Sequence, residues 1–367
     1  MKIKIKKWIE RAVETVLFSS SLVTTLTVLL IVVFLFSEGI GLFFSKPVEE
    51  GYVIAVHQTN KVKSLSTEQL SSIFNQDYTN WNTVGGSNDS ILILDMKTIG
   101  YVFTEEELGS SFEYMPQRIN EYLEREKGSI ICFPEKYLDK QLKGKIVEVE
   151  SVGLFSFISG KLWYPTSEPV AQLGIFPLIM GTLWVSLAAI LFALPFGLAT
   201  SIYLSEVANP KIRNVLKPII ELLAGIPSVV YGFFGLIVIV PLVQEIFDLA
   251  VGETALVGSI ILGIMALPTI ITISEDALRT VPRSLKEASL ALGATRWQTL
   301  VRVSIPFAKS GIMAGVILGI GRAVGETMAV LMVTGNASNV PTSLLQPVRT
   351  IPATIAAELG EAPMGGL

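Results

Sequence analysis

Long uncharged apolar runs alternate with polar stretches along this chain, and the length of those runs decides its class. A helix needs about 20 apolar residues to cross the hydrocarbon core of a bilayer. Residues 15–36 meet that requirement without a charge, and the uncharged stretch 169–205 holds a second span at 174–203. Residues 222–244 and 254–274 follow, and 310–334 form a fifth run that encloses Arg322 and Glu326. The pattern predicts an α-helical polytopic membrane protein with five spans. Between the first two runs, residues 46–165 turn polar but keep short stretches of Val, Ile, Phe and Tyr. A segment that long is not a plain loop, and it predicts a small α/β domain inserted there. Residues 52–56 and 91–94 read as strands. Residues 66–74 read as a helix, capped by Ser66 with Gln69 three residues on, and 118–127 as a second helix. Asn80 and Trp81 read as part of a turn, and His57 as a surface or packed residue.

Composition agrees with a membrane protein: of 367 residues, 50% are hydrophobic and 16% charged, with a formal net charge of −4. Asp and Glu outnumber Lys and Arg mainly within 46–165, so no nucleic-acid footprint is present. One cysteine, Cys132, excludes an intrachain disulfide, and one histidine, His57, leaves no cluster for a metal. Sidedness follows from Lys and Arg in the short flanking segments. Lys2, Lys4, Lys6, Lys7 and Arg11 precede the first run; Lys211, Arg213 and Lys217 follow the second; Arg279, Arg283, Lys286, Arg296, Arg302 and Lys309 lie between the fourth and fifth. Residues 247–253 carry none. These counts put the N-terminus inside and residues 46–165 outside. They divide the chain into a basic N-terminus with its first span (1–45), an external domain (46–165) and a membrane domain (166–367) with a cytoplasmic loop at 276–309. A cleaved signal peptide is the alternative for the first run, but the run is long and Phe43-Phe44-Ser45-Lys46 is a poor small-residue cleavage site.

The loop between spans four and five carries the most local information. Pro282 suits a first helical turn, Gly293 suits a position with φ > 0 after a helix, and Thr295 can cap a second short helix before Pro306. Leu285, Ala288, Ala291 and Leu292 recur at helical spacing, making an apolar face that fits a groove on another protein. Glu287-Ala288-Ser289, Gly293 and Val303-Ser304-Ile305-Pro306 resemble the EAA loop of ABC importer permeases. The resemblance implies that Glu287, Ala288, Ser289, Gly293 and Arg296 couple the chain to a cytoplasmic ATPase dimer, whose ATP-driven closure moves the membrane helices. ATP belongs to that partner, because this chain has no G-x-x-x-x-G-K-[ST] loop. The chain is therefore expected not to be an enzyme and to need no cofactor of its own. Gly319-x-Gly321 reads as small residues that let helices approach closely.

A charge within a span costs roughly 2.5–3.5 kcal/mol on insertion scales, so Arg322 and Glu326 call for a reason. At i,i+4 they would share one helix face and partly neutralise each other. Two readings fit: a pathway for an oxyanion, whose geometry the guanidinium fork matches, or an ion pair that fastens this helix to a neighbour. Pro195, Pro227, Pro241 and Pro268 fall within the spans, either as ordinary membrane-helix prolines or as breaks lining a cavity, Gly225-Ile226-Pro227-Ser228 being the best candidate for a break.

Three stretches, 223–235 around that break, Ser274-Glu275-Asp276-Ala277-Leu278-Arg279, and 319–330 around Arg322, resemble the phosphate-specific permeases of ABC importers, the PstC type. The resemblance covers residues 170–362. It implies phosphate as cargo, with Arg322, Glu326 and Ser228 along its path. Molybdate and sulfate permeases share the EAA loop and remain alternatives, as does a membrane-anchored sensor or docking protein. It also implies partners: a second homologous permease subunit, the ATPase, an extracytoplasmic phosphate-binding protein and membrane lipid. Residues 56–60, 65–74 and 79–86 resemble part of one lobe of such binding proteins, but Asp95-Met96-Lys97-Thr98 stands where those have an Arg and a Ser-Gly-Thr turn. A domain that docks rather than binds phosphate is the reading preferred here. The resembled permeases have six spans against the five counted, so the sixth is expected either from a longer chain or from another polypeptide.

Overall fold

A computed structural model describes residues 2–41, 43, 48, 51–109, 111–167 and 170–359, with side chains described at Arg11 and from Val13 onward. The junction at 44–47, the basic side chains before Arg11 and the residues beyond Leu359 lie outside what is described. The chain falls into two compact units. The first holds the residues up to Phe157 with Pro165–Gln172, and the second holds Ile158–Tyr164 with the residues from Leu173 onward.

In the first unit, helix α1 (Lys2–Gly41) carries the first apolar run, and all its described side chains are exposed. The rest is an α/β domain around a mixed sheet. Strands β1 (Tyr52–His57) and β2 (Ser64–Leu65) precede α2 (Thr67–Phe74); β3 (Leu92–Asp95), β4 (Ser129–Pro134), β5 (Gly144–Ile146) and β6 (Glu148–Val149) follow. The main sheet runs β3-β4-β1-β5, with β4 parallel to β3 and antiparallel to β1. Strand alternation sorts its apolar side chains into two cores. Ile54, Val56, Ile130 and Cys132 meet Leu70 and Ile73 of α2 on one face. Ala55, Ile131 and Phe133 meet Ile119 and Leu123 on the other. Those last two belong to α5 (Met115–Arg125), which follows the short turns α3 (Ile99–Val102) and α4 (Glu105–Leu108); α6 (Leu154–Ser159) comes later in the chain. The helix at α2 forms where expected, with Ser66 and Gln69 closing a reciprocal capping box. Asn80 caps a 3₁₀ turn, but Trp81 is more than a turn residue: it is fully buried and donates from Nε1 to the Gly128 carbonyl at 2.9 Å.

The second unit holds the remaining spans. Helix α7 (Phe176–Ile202) continues through a π-helical turn at Tyr203–Val207; α8 (Pro210–Ala224) is amphipathic and has no buried residue. The third span is made of α9 (Ser228–Phe234), a π turn (Gly235–Ile239) and α10 (Val240–Phe247). Helix α11 (Ala255–Arg279) is the most buried span and packs between α7 and α14 (Ile305–Val324). Before α14 come α12 (Arg283–Ala291) and α13 (Arg296–Thr299); after it come α15 (Met328–Val333) and α16 (Ile351–Glu358). Among the described residues, five helices are long and apolar enough to cross a membrane.

Three sequence expectations change here. The third span begins at Ser228 and not at 222, because the chain stops being helical after Ala224 and restarts behind Pro227. The helix capped by Thr295 does not end before Pro306 but runs on to Val324, through a π turn at Leu300–Ser304. Proline lacks the N–H and its ring crowds the carbonyl four residues back, and a widened turn relieves that conflict. The same device precedes Pro241, whereas Pro195 and Pro268 sit inside continuous helices. Finally, the fifth span ends at Val324, ten residues short of the apolar run, with consequences for its charges.

Candidate functional site

The loop between the fourth and fifth spans is a helical hairpin closed by its own local chemistry. Pro282 stands at the N-cap of α12, one position before the first turn. At the other end Gly293 has φ +84°, its N–H donates to the Leu290 carbonyl, and Ala294 N–H reaches back to the Ser289 carbonyl. That pair of bonds is a Schellman ending, which needs a left-handed residue at the position glycine holds. Thr295 and Gln298 then form a capping box that starts α13. The turn needs nothing from elsewhere in the chain.

What the hairpin presents is an exposed surface. No residue of α12 is buried; Leu292 is 90% and Trp297 69% exposed, and Glu287, Ala288, Gly293 and Arg296 are exposed with them. Ser289 is turned inward, its Oγ 3.0 Å from Thr299 Oγ1, where it ties the two helices of the hairpin. Leu285, Ala288, Ala291 and Leu292 thus face no core of this chain.

Behind the hairpin lies a group of charges that the apolar pattern did not single out. Glu275, in the last turn of α11, is 1% exposed. Its carboxylate accepts from Arg213 Nε at 3.0 Å and Lys217 Nζ at 2.7 Å, both from α8, and lies 3.8 Å from Arg279 Nη1. A buried carboxylate beside the negative end of a helix is doubly unfavourable alone, so these cations are a condition of its burial. Lys217 also holds Asp276 at 2.6 Å. Partial burial works to lower the Lys217 pKa, and its bonds to Asp276 and Glu275 outweigh that, leaving it raised. One further pair joins α12 to the second span, Lys286 Nζ to Glu206 Oε1 at 2.5 Å. In the sequence Glu275 stood in the stretch 274–279 at the end of an uncharged run, but the two cations bonded to it, Arg213 and Lys217, lie about 60 residues away.

The intramembrane charges are arranged differently from the expectation. Arg322 is in the last turn of α14, where a cation complements the helix dipole, and its Nη1 is 3.5 Å from Thr269 Oγ1 of α11. The helix then stops at Gly325, so Glu326 lies beyond it, before α15. Arg322 and Glu326 do not share a helix face, and among the described residues they form no ion pair. Glycine at 319, 321 and 325 weakens the helix there, and tertiary packing sets α15 apart. Ser228 is the first residue of α9, immediately after the other break at Gly225–Pro227. The two breaks belong to one packed group, since a Cβ on Gly232 of α9 would lie 2.9 Å from Ala329 Cα of α15. Tyr231 Oη bridges its own break by donating to the Leu223 carbonyl at 2.9 Å. Irregular backbone at membrane depth is tolerated where protein or a water-filled cavity surrounds it.

Residues 193–349, which contain the hairpin, the Glu275 group and both breaks, match the family described as binding-protein-dependent transport system inner membrane component. A probable ABC transporter permease protein, YqgH of Bacillus subtilis, is 42% identical over 60% of this chain and 71% of its own length. The phosphate transport system permease protein PstC of Mesorhizobium japonicum is 40% identical over 57% of this chain and 68% of its own. That of Pasteurella multocida is 37% identical over 57% and 70%. The chain belongs to this permease family. It is accordingly a multi-pass inner-membrane protein and the membrane component of an ABC transport system, not an enzyme. The permease carries its α/β domain outside the stretch matched by the family.

Proposed function

We propose that this permease is the transmembrane subunit of an ATP-driven phosphate importer, and that the α12–α13 hairpin receives a separate cytoplasmic ATPase dimer. The observation that carries the reading is a helix closed by a left-handed glycine turn, with no buried residue and with Leu285, Leu290, Leu292 and Trp297 exposed beside Glu287. Such an amphipathic face suits a groove on a partner. Lys and Arg flanking the spans favour an inside position for this hairpin and an outside position for residues 46–165. Phosphate as cargo is supported by the relatives named for its transport, and by Arg322 at a helix end next to an interrupted backbone. A second homologous permease subunit completes the pathway, Ser228 and Glu326 line it with Arg322, and a phosphate-binding protein delivers the ion from outside.

The α/β domain fits docking better than phosphate capture. Asp95 Oδ1 accepts from Lys97 N–H at 2.9 Å, Thr98 N–H at 2.7 Å and Thr98 Oγ1 at 2.8 Å. Those donors are the ones an anion would need, and a carboxylate already occupies them.

Radiolabelled phosphate uptake, with molybdate and sulfate as competitors, tests the cargo. Arg322→Ala is expected to lower uptake by at least about tenfold and Arg322→Lys to recover part of it, because a point charge replaces only part of a planar fork. Uptake indifferent to Arg322, or blocked by sulfate or molybdate as well as by phosphate, would sink the phosphate reading. Co-purification with the ATPase tests the hairpin: Glu287→Ala with Gly293→Val should lose the partner, and full retention would refute its role.

A further inference from the structure

Helix α12 has no buried residue, whereas α13 runs directly into the fifth span, and this raises the question of what else moves when the hairpin moves. The joint before α12 is packed through Val281, in a cluster with Leu278, Ala308 and Ile202. Beyond that joint, α12 has no buried residue, and its side-chain bonds are Lys286 to Glu206 and Ser289 to Thr299. The second of these stays within the hairpin. Lys286 is therefore the one α12 side chain, among the described residues, that bonds the second span.

Glu206 is placed for such a role. It lies in the π turn Tyr203–Val207 that ends the second span, where the helix is widened before the chain turns into α8. The pair is not a surface ornament, since both side chains are about four-fifths buried, at 23% and 20% exposure, and salt screens such a pair far less than an exposed one. Close by in sequence, α8 is tied by ion pairs to the end of α11 through Glu275, and α11 in turn packs against the second span and its π turn. A pull on Lys286 meets a braced element rather than a loose one.

We propose that the Lys286–Glu206 ion pair is the strut through which displacement of the hairpin reaches the second membrane span, making both positioning residues for transport. The proposal rests on the hairpin's being the ATPase docking site. Lys286 precedes Glu287 yet points back into the membrane unit, so it serves transmission and not docking.

The test uses the permease assembled with its ATPase and second subunit in liposomes, reading ATP hydrolysis and radiolabelled phosphate uptake separately. Lys286→Glu and Glu206→Lys should each keep the ATPase bound and hydrolysing, while uptake per ATP falls by about tenfold, as expected when one member of a desolvated pair is reversed. The double exchange should restore uptake per ATP to within about threefold. Single variants that couple normally, or a double exchange without recovery, would overturn the strut while leaving the docking site intact. Loss of the ATPase from both single variants would also overturn it, by showing that these residues serve docking. Failure of the unaltered permease to bind an ATPase would instead overturn the docking reading and the strut with it. A second measurement uses Glu206→Cys with Lys286→Cys in a Cys132→Ser background, joined by a short flexible thiol cross-linker. A strut that moves as a unit keeps transporting when cross-linked, whereas arrested uptake would overturn it.

Discussion

Glu275 shows how much a single side chain can depend on residues far from it. With its carboxylate 1% exposed, replacing it by Gln leaves Arg213 and Lys217 facing a neutral amide in the same enclosure. Breaking one partner of a buried charge group costs several kcal/mol, because the remaining charges stay desolvated. Glu275→Gln is expected to destabilise the purified permease by about 2–4 kcal/mol, read as a lower thermal midpoint in detergent. An unchanged midpoint would mean that the carboxylate is not needed to hold α8 to α11. The sequence displayed Glu275 and the basic residues of α8 but not their pairing, since no periodicity connects positions about 60 residues apart.

Helix α14 carries its own contrast between what spacing says and what packing does. Added Cβ atoms at Gly311, Gly315 and Gly319 would meet α11 at 2.4 Å from Ala277, 3.1 Å from Ser274 and 2.7 Å from Ile270. These three recur every four residues and let two backbones approach closely, the packing expected of small residues in membranes. Gly321, read together with Gly319 from the sequence, has nothing within 4 Å. Gly319→Ala is therefore expected to lower stability by about 1–3 kcal/mol through overpacking. Gly321→Ala should be neutral or stabilising by up to about 1 kcal/mol through helix propensity. Thermal unfolding of the two variants side by side checks this; equal losses would contradict the packing described. The apolar run alone could not show where α14 ends, because the residues after Gly325 are just as apolar. The glycine turn and the Thr295 cap of the hairpin were legible, since each acts within a few residues of itself.

At the scale of the whole molecule, sidedness is the property that gives the other elements their meaning. Tyr101 in the α/β domain is 91% exposed and Leu292 in the hairpin 90%, while the native Cys132 is 1% exposed and a poor target. In a Cys132→Ser background, Tyr101→Cys should react with a membrane-impermeant maleimide on intact spheroplasts, and Leu292→Cys only after the membrane is opened. The reverse pattern would invert the topology and remove the hairpin from the reach of a cytoplasmic ATPase. Charge counts in short loops support this orientation because translocation of Lys and Arg is disfavoured, whatever the fold of the intervening domain.

By itself the sequence determined the features whose physics is local: which runs are long enough to span, the caps at Ser66 and Thr295, the left-handed turn at Gly293, and strands near 52–56 and 91–94. Each depends on residues within one or two turns of one another, so the pattern contains the whole cause. Tertiary structure alone decided where the fifth span ends, that Arg322 closes a helix while Glu326 falls in the break after it, and that Arg213 and Lys217 neutralise Glu275. Those outcomes depend on close packing of α9 against α15 and on ion pairs between distant elements. Such contacts gain their energy only after the helices have come together.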